Sequence, residues 1–296
     1  MKEGYVSVET EQLYQAYKPL LFSLAYRMLG SVMDAEDIVH DTFLSLSQIE
    51  NLDSVDNIKA YLCKMVTNRT IDKLRSAAHK RDVYVGTWLP EPLVEENDDP
   101  SMTYIMKESI STAYLLLLQQ LSEVERAVFI LREVFCYGYD EIASIIDKSS
   151  TNCRQIYHRA RKSLIDKPKA SKLSTKQMVA YVEQFVASLQ QGDVQAMLEI
   201  LKTDAIFKSD GGGKVTTALK PIYTSERIAR LFLGITKKLS EEHSIKFKMV
   251  NGVPGIIVSI NNRAVYVISF EFKEGKISSI YMMANPDKLM HLNQNA

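Results

Sequence analysis

The sequence predicts a multidomain chain in which two all-α domains precede one α+β domain. Three observations point there. Apolar residues recur every three or four positions from Glu9 to Ala78 and again from near Met102 to Leu164. That periodicity fails at proline-bearing stretches around residues 83–101 and 167–175. Beyond Thr175 the pattern changes to amphipathic helix and then to runs of strand composition, divided by Asn-Gly, Asn-Asn and Glu-Gly turns. The expected boundaries are a helical domain over 1–78, a linker over 79–108, a second helical domain over 109–167, a short linker over 168–174 and an α+β domain over 175–296.

Each element has its own justification. In the first domain Ala35, Ile38, Val39, Thr42, Phe43 and Leu46 share one helical face, with Asp34 as the expected N-cap. Glu36, Asp37, His40 and Asp41 are left outward or at the flanks. Residues 83–101 hold three of the eight prolines, the single Trp and an acidic cluster, as an extended linker would. Trp88, Leu89 and Leu93 are apolar residues in a segment expected to be exposed, which suggests docking.

Tyr139–Asp147 places Ile142, Ala143 and Ile146 on one side, Lys148-Ser149-Ser150 supplies a turn, and Ser150 or Thr151 is the expected cap of a second helix. There Cys153, Ile156, Tyr157, Ala160 and Leu164 form an inward stripe, opposite Thr151, Arg154, Gln155, His158 and Lys162. Arg and Gln can bond guanine and adenine edges bidentately, and Arg159, Arg161 and Lys162 suit phosphates. In the last domain the expected strands are 245–250, 255–260, 264–272 and 276–283, after a helix over 177–190 and a shorter one, in a mostly antiparallel sheet.

The 296 residues hold 36 basic and 36 acidic side chains, so the chain is formally neutral, and 46% of it is apolar. Disorder of the whole chain is excluded. No stretch is apolar for long enough to predict a membrane crossing, and the polar start predicts a cytoplasmic protein. Cys63, Cys136 and Cys153 lie far apart with no CxxC pair, so neither a disulfide framework nor a metal site is expected, and all three are read as buried apolar side chains. The neutrality is a sum of unequal parts. Residues 1–76 carry 8 basic and 11 acidic groups, 77–108 carry 3 and 7, 109–170 carry 9 and 7, and 171–296 carry 16 and 11. Between Lys148 and Lys162 no acid interrupts the basic run, an electrostatic footprint for nucleic acid.

LGSVMDAEDIVHDTFL (Leu29–Leu44), AYLCKMVTNRTIDKLR (Ala60–Arg75) and the helix-turn-helix ending in HRARKSL together resemble bacterial sigma-70 factors of the extracytoplasmic-function group. WLPEPL (88–93), DGGGK (210–214) and NPDKL (285–289) resemble the hallmarks of the subgroup with a fused SnoaL-like domain, a cone-shaped α+β barrel. The resemblance implies core-polymerase contacts at Asp34, Glu36, Asp37, His40, Asp41 and Phe43, through the β′ clamp helices, with the β flap as a second contact. Where most relatives have Gln, this chain has His40. It implies that Asn51, Asp53, Ser54 and Asn57, in the loop NLDSVDN, capture an unstacked base of the -10 element, with Asn68, Arg69, Lys73 and Arg75 on the adjoining helix. For -35 DNA it implies Thr151, Asn152, Arg154, Gln155, His158, Arg159, Arg161 and Lys162.

Regulation in cis is expected of Trp88, Leu89, Pro90, Glu91, Pro92, Leu93, Asp210, Gly211, Gly212, Gly213, Lys214, Asn285, Pro286, Asp287, Lys288 and Leu289, with no separate anti-sigma factor required. Promoter DNA and core polymerase are the implied partners, and no cofactor is. Asp193, Asp204, Asp210 and His243 are the barrel's acid-base candidates, but their spacing requires no catalysis and no enzyme activity is expected. The competing reading is a stand-alone helix-turn-helix regulator with a ligand-binding or enzymatic barrel. A last expectation is electrostatic: the basic C-terminal domain docks on the acidic linker, and salt loosens the contact.

Overall fold

The computed structural model describes residues 8–49, 55–81, 84–95, 110–164, 173–239 and 242–293, which fall into two compact units. The first holds helices α1 (Val8–Leu29), α2 (Val32–Leu46) and α3 (Ile58–Arg81). Helix α4 (Thr112–Leu118) spans the division, and α5 (Glu123–Glu133), α6 (Tyr139–Ile146) and α7 (Ser150–Ser163) complete the first unit. Leu21, Leu24, Ala25 and Met28 of α1 are buried with Val32, Ala35 and Val39 of α2 and with Leu62 and Val66 of α3. Helix α5 packs on both α1 and α3, and α6 packs on α3, so the two expected helical domains share one unit.

Polar groups fix that packing. The buried Arg126 of α5 donates to the Met28 carbonyl at 2.5 Å and to the Leu121 carbonyl at 3.3 Å, so a charge removed from water keeps acceptors. Cys63 Sγ of α3 lies 3.4 Å from the Tyr137 hydroxyl. Cys63 and Cys153 are buried as expected, but Cys136 is exposed. It takes a positive φ of 56° in the link between α5 and α6, where the backbone must reverse and the side chain faces outward.

Two helix starts differ from expectation. Ser31 caps α2 by accepting from Asp34 N at 3.1 Å, which places Asp34 in the first turn. Ser149 caps α7 by accepting from Asn152 N at 3.2 Å, ahead of Ser150 and Thr151. In both cases the hydroxyl sits just before the first helical residue, where free N–H groups need an acceptor.

The second unit combines the linker stretch 84–95, residues 110–114 and everything described from 173 onward. Its helices are α8 (Thr175–Gln191), α9 (Val194–Ile200) and α10 (Ser225–Thr236), with a short α11 (Met290–Asn293) at the end. Its strands are β1 (Leu201–Asp210), β2 (Ile222–Tyr223), β3 (His243–Val250), β4 (Val253–Ile260), β5 (Arg263–Lys273) and β6 (Lys276–Met283), in the sheet order β2-β1-β6-β5-β4-β3. All neighbours are antiparallel except β1 and β6, which run parallel. The four expected strands are present, and the α+β reading holds.

Strand β1 was not expected. Helix α9 ends at Ile200 and the strand begins at Leu201 with no turn residue between them. Val182 and Phe185 of α8, Met197 of α9, and Ile228 and Phe232 of α10 pack on Phe207, Ile256, Val258, Ile268, Phe270 and Met282 of the sheet. Phe185 meets Phe232 and Phe270 edge-on at centroid distances of 5.1 and 5.3 Å, a favoured aromatic geometry. Gly192 ends α8 at a positive φ of 68°, and Asp193 caps α9 by accepting from Ala196 N.

Candidate functional site

Helix α7 presents the expected polar face. Thr151, Asn152, Arg154, Gln155, His158, Arg159, Arg161 and Lys162 are all exposed, while Cys153, Ile156, Tyr157 and Ala160 are buried. The inward stripe is anchored by the Tyr157 hydroxyl, which donates to the Glu133 carboxylate. Sequence reasoning missed Tyr139, whose ring lies 5.2 Å from the Arg154 guanidinium and 4.7 Å from that of Arg132. This contact orients Arg154 at the start of the exposed face. Arg159 lies 3.9 Å from Glu125, a loose surface pair.

On α2, Glu36, Asp37, His40 and Asp41 are exposed and Asp34 is partly so. Phe43 is the exception, because only 6% of it is exposed and it packs edge-on against Tyr14 at 5.0 Å. The apolar group actually offered there is its neighbour Leu44, 46% exposed. Thr10, Glu11, Tyr14, His40, Leu44 and Ser47 line a shallow pocket around it, to which Phe43 also contributes. Leu44 falls outside the buried stripe of α2, and that was the signal available in the sequence.

Of the residues expected at -10 DNA, Asn51, Asp53 and Ser54 lie outside the described residues. Asn57 is exposed, and its side-chain oxygen accepts from Ala60 N at 3.0 Å as the cap of α3. Asn68 is half-buried. The three α3 cations expected at -10 DNA all have partners: Arg69 donates to the Ser45 hydroxyl at 2.6 Å, Lys73 pairs with Asp34 at 2.8 Å, and Arg75 pairs with Glu123 at 3.1 Å. The Asp34 carboxylate, above all, holds the Lys73 ammonium above the ordinary lysine range. Glu123 is held below the ordinary carboxylate range by a backbone N–H and then by Arg75.

The linker motif and the two C-terminal motifs meet in one clasp within the second unit. Asp210, the last residue of β1, is 1% exposed, and its carboxylate accepts from the Tyr84 hydroxyl, Leu89 N, Gly212 N and Lys288 Nζ at 2.5, 2.8, 3.0 and 2.8 Å. Lys288 Nζ also donates to the Leu89 carbonyl at 2.6 Å and sits 4.0 Å from the Trp88 ring centroid. Asn285 Nδ2 donates to the Tyr84 hydroxyl at 3.0 Å. Burial, and then Asp210, push the Tyr84 phenol well above its ordinary range. Lys214 and Asp287 close the rim at 2.6 Å.

The glycines are required by close approach. A Cβ on Gly211 would lie 2.3 Å from the Val215 carbonyl oxygen, and one on Gly212 would lie 2.2 Å from Asn285 Nδ2. Gly212 and Gly213 also have positive φ, of 60° and 72°.

The linker is more deeply seated than expected. Leu89, Pro90, Glu91, Pro92, Leu93 and Val94 are buried, Asn251 N donates to the Leu93 carbonyl at 2.7 Å, and Val94 bridges to Val250. His291 reaches the Pro92 carbonyl at 2.9 Å. The described linker meets the clasp through the Tyr84 hydroxyl, the Trp88 ring and both the N–H and the carbonyl of Leu89, with the buried carboxylate coming from Asp210. The linker's acidic cluster at residues 96–99 lies outside the described residues.

The four acid-base candidates of this domain serve separate places. Asp193 caps α9, Asp204 is exposed 3.8 Å from Lys202, Asp210 is engaged in the clasp, and His243 borders an apolar cavity. Among the described residues no cluster of His, Cys, Asp or Glu could hold a metal ion, and no helix is long and apolar enough to cross a membrane.

Comparison with known proteins gives two family matches, Sigma-70 region 2 over residues 13–80 and Sigma-70 region 4 over residues 111–164. The sequence is 31% identical over 290 residues to ECF RNA polymerase sigma factor SigJ of Mycobacterium tuberculosis, covering 93% of this chain and 91% of that one. It is 27% identical over 157 residues to ECF RNA polymerase sigma factor SigW of Bacillus subtilis, covering 50% of this chain and 82% of that one. The crystal structure of M. tuberculosis SigJ superposes with a TM-score of 0.76 at 27% identity, covering 95% of this chain and 98% of that one.

Proposed function

Because this chain belongs to the extracytoplasmic-function sigma factors of RNA polymerase, we propose that its exposed surfaces divide the work of initiation and that the clasp regulates them in cis. The α2 acids with Leu44 take the β′ clamp helices, an acidic and partly apolar surface meeting a basic one. Arg154 and Gln155 read -35 base edges, and Arg159, Arg161 and Lys162 hold phosphates. Arg69, Lys73 and Arg75 of α3 hold the -10 strand.

In the structure Lys73 is bound to Asp34 and Arg75 to Glu123, so each reaches a phosphate only in exchange for a carboxylate. Engagement of Asp34 by a basic partner releases Lys73, which couples polymerase binding to promoter grip. The alternative, a free helix-turn-helix regulator, has no use for region 2 and is not favoured.

The observation that carries regulation in cis is Asp210, which gathers Tyr84 and Leu89 of the linker and Lys288 of the C-terminus on one buried carboxylate. Run-off transcription with purified core polymerase tests it. Lys288→Met should change transcript yield at fixed protein concentration, with Arg154→Ala as the promoter-binding control. Unchanged yield and unchanged polymerase affinity for Lys288→Met would remove the regulatory role.

A further inference from the structure

Between α8, α10 and the inner face of the sheet lies an apolar cavity of about 50 Å³. Its deep walls are the buried Phe185, Val186, Phe232, Ile256, Ile268 and Met282. Its open side is bordered by exposed Gln190 and half-buried Thr236, His243 and Tyr266. At roughly 10–15 Å³ per enclosed water position the space corresponds to about three to five waters, and at about 30 Å³ of liquid volume each to roughly the size of one six-membered ring. Water is a poor occupant, because each molecule needs two to four polar partners and the deep walls are hydrocarbon. A charged occupant is disfavoured for the same reason.

We propose that this cavity binds a neutral single-ring organic molecule, its ring among Phe185, Phe232 and Ile268 and one hydroxyl or carbonyl turned outward to Tyr266, His243 and Gln190. The edge-to-face contacts Phe185–Phe232 and Phe207–Phe232, at 5.1 and 5.3 Å, preform the floor, so little ordering is needed on binding. Met282 joins the cavity to the rest of the domain. It lies on β6 opposite Ser209 of β1, one position before the Asp210–Met283 pair and three residues before Asn285 of the clasp.

The test uses the full chain with labelled isoleucine and methionine methyl groups, titrated with 4-methylphenol and, separately, with toluene. Saturable shifts confined to the lining Ile235, Ile245, Ile256, Ile268 and Met282, with a Tm that rises with probe concentration, are expected. Val258→Phe fills the space and should weaken both probes at least tenfold. Tyr266→Phe, which leaves the volume intact should the larger residue not be accommodated, should weaken 4-methylphenol about two- to tenfold and leave toluene unchanged. Absence of saturable shifts with both probes, or shifts that survive in the filled variant and ignore Tyr266, would overturn the assignment.

Discussion

Replacing Lys288 by Met removes a cation that is 10% exposed from an aspartate that is fully buried. Breaking a buried ion pair from one side costs about 3–5 kcal/mol, because the remaining charge is left uncompensated. Here Asp210 keeps donors from Tyr84, Leu89 and Gly212, which moderates the loss, while the Leu89 carbonyl loses its ammonium donor, which adds to it. About 3 kcal/mol of destabilisation is therefore expected in the C-terminal unit. With a urea slope of about 1–3 kcal/mol per molar, the unfolding midpoint falls by about 1–3 M.

The only Trp of the chain, Trp88, lies against Lys288 and reports the transition by fluorescence. Adding Asp210→Asn to Lys288→Met should recover at least about 1 kcal/mol relative to the sum of the single changes, since the orphaned charge is gone. A loss below about 1 kcal/mol for the single variant, or strict additivity in the pair, would refute the reading of the clasp as a buried ion pair.

Other consequences can be measured independently. Gly212→Ala sets a methyl group against Asn285 at a positive φ and should destabilise the same unit by about 1–3 kcal/mol, visible as a lowered Tm; an unchanged Tm would show that the loop relaxes freely. Burial raises the Glu271 carboxyl, which accepts from Ala113 N at 3.3 Å. A raised acid stabilises the fold below its unfolded pKa of about 4.3, and that contribution disappears as pH rises through the folded value. Glu271→Gln should therefore flatten the fall of Tm between acidic and neutral pH, with each 1 kcal/mol of relief at neutral pH worth roughly 2–4 °C; parallel Tm profiles would count against it. On α7, Arg154→Ala should relax preference at one promoter position by about 1–3 kcal/mol, whereas Lys162→Ala should weaken all sequences alike and lower the salt slope by about one. Binding measured on sequence variants across salt concentrations separates the two, and identical profiles would contradict the assignment.

What the sequence made legible followed from periodicity and composition. The exposed face of α7 was readable because its inward residues fall at helical spacing and no acid interrupts the basic run. The four later strands were readable because turn residues mark their ends. Strand β1 escaped because Leu201–Asp210 carries Lys, Thr and Asp and follows a helix without punctuation. The motifs were visible, yet Tyr84 was not singled out, since nothing local says that its hydroxyl meets a residue 126 positions away. Phe43 and Leu44 illustrate a finer limit: both are apolar neighbours, and only the packing of Tyr14 determines which is covered. Caps shifted by one or a few residues because several Ser and Asp side chains in a row can each accept the first free N–H groups.

The clasp also imposes an order in time on the making of the protein. Its acceptor on the linker, the Leu89 carbonyl, and its donor Lys288 are 199 residues apart, so the donor is synthesised long after the acceptor. At about 5–20 residues per second, translation reaches Lys288 roughly 6–25 seconds after Leu164 has been added. Both DNA-reading regions therefore emerge from the ribosome before the linker can be fastened. A nascent chain paused before Asn285 would hold both sigma-70 regions with the clasp still unmade, so translation speed itself sets how long the newly made chain remains unclasped.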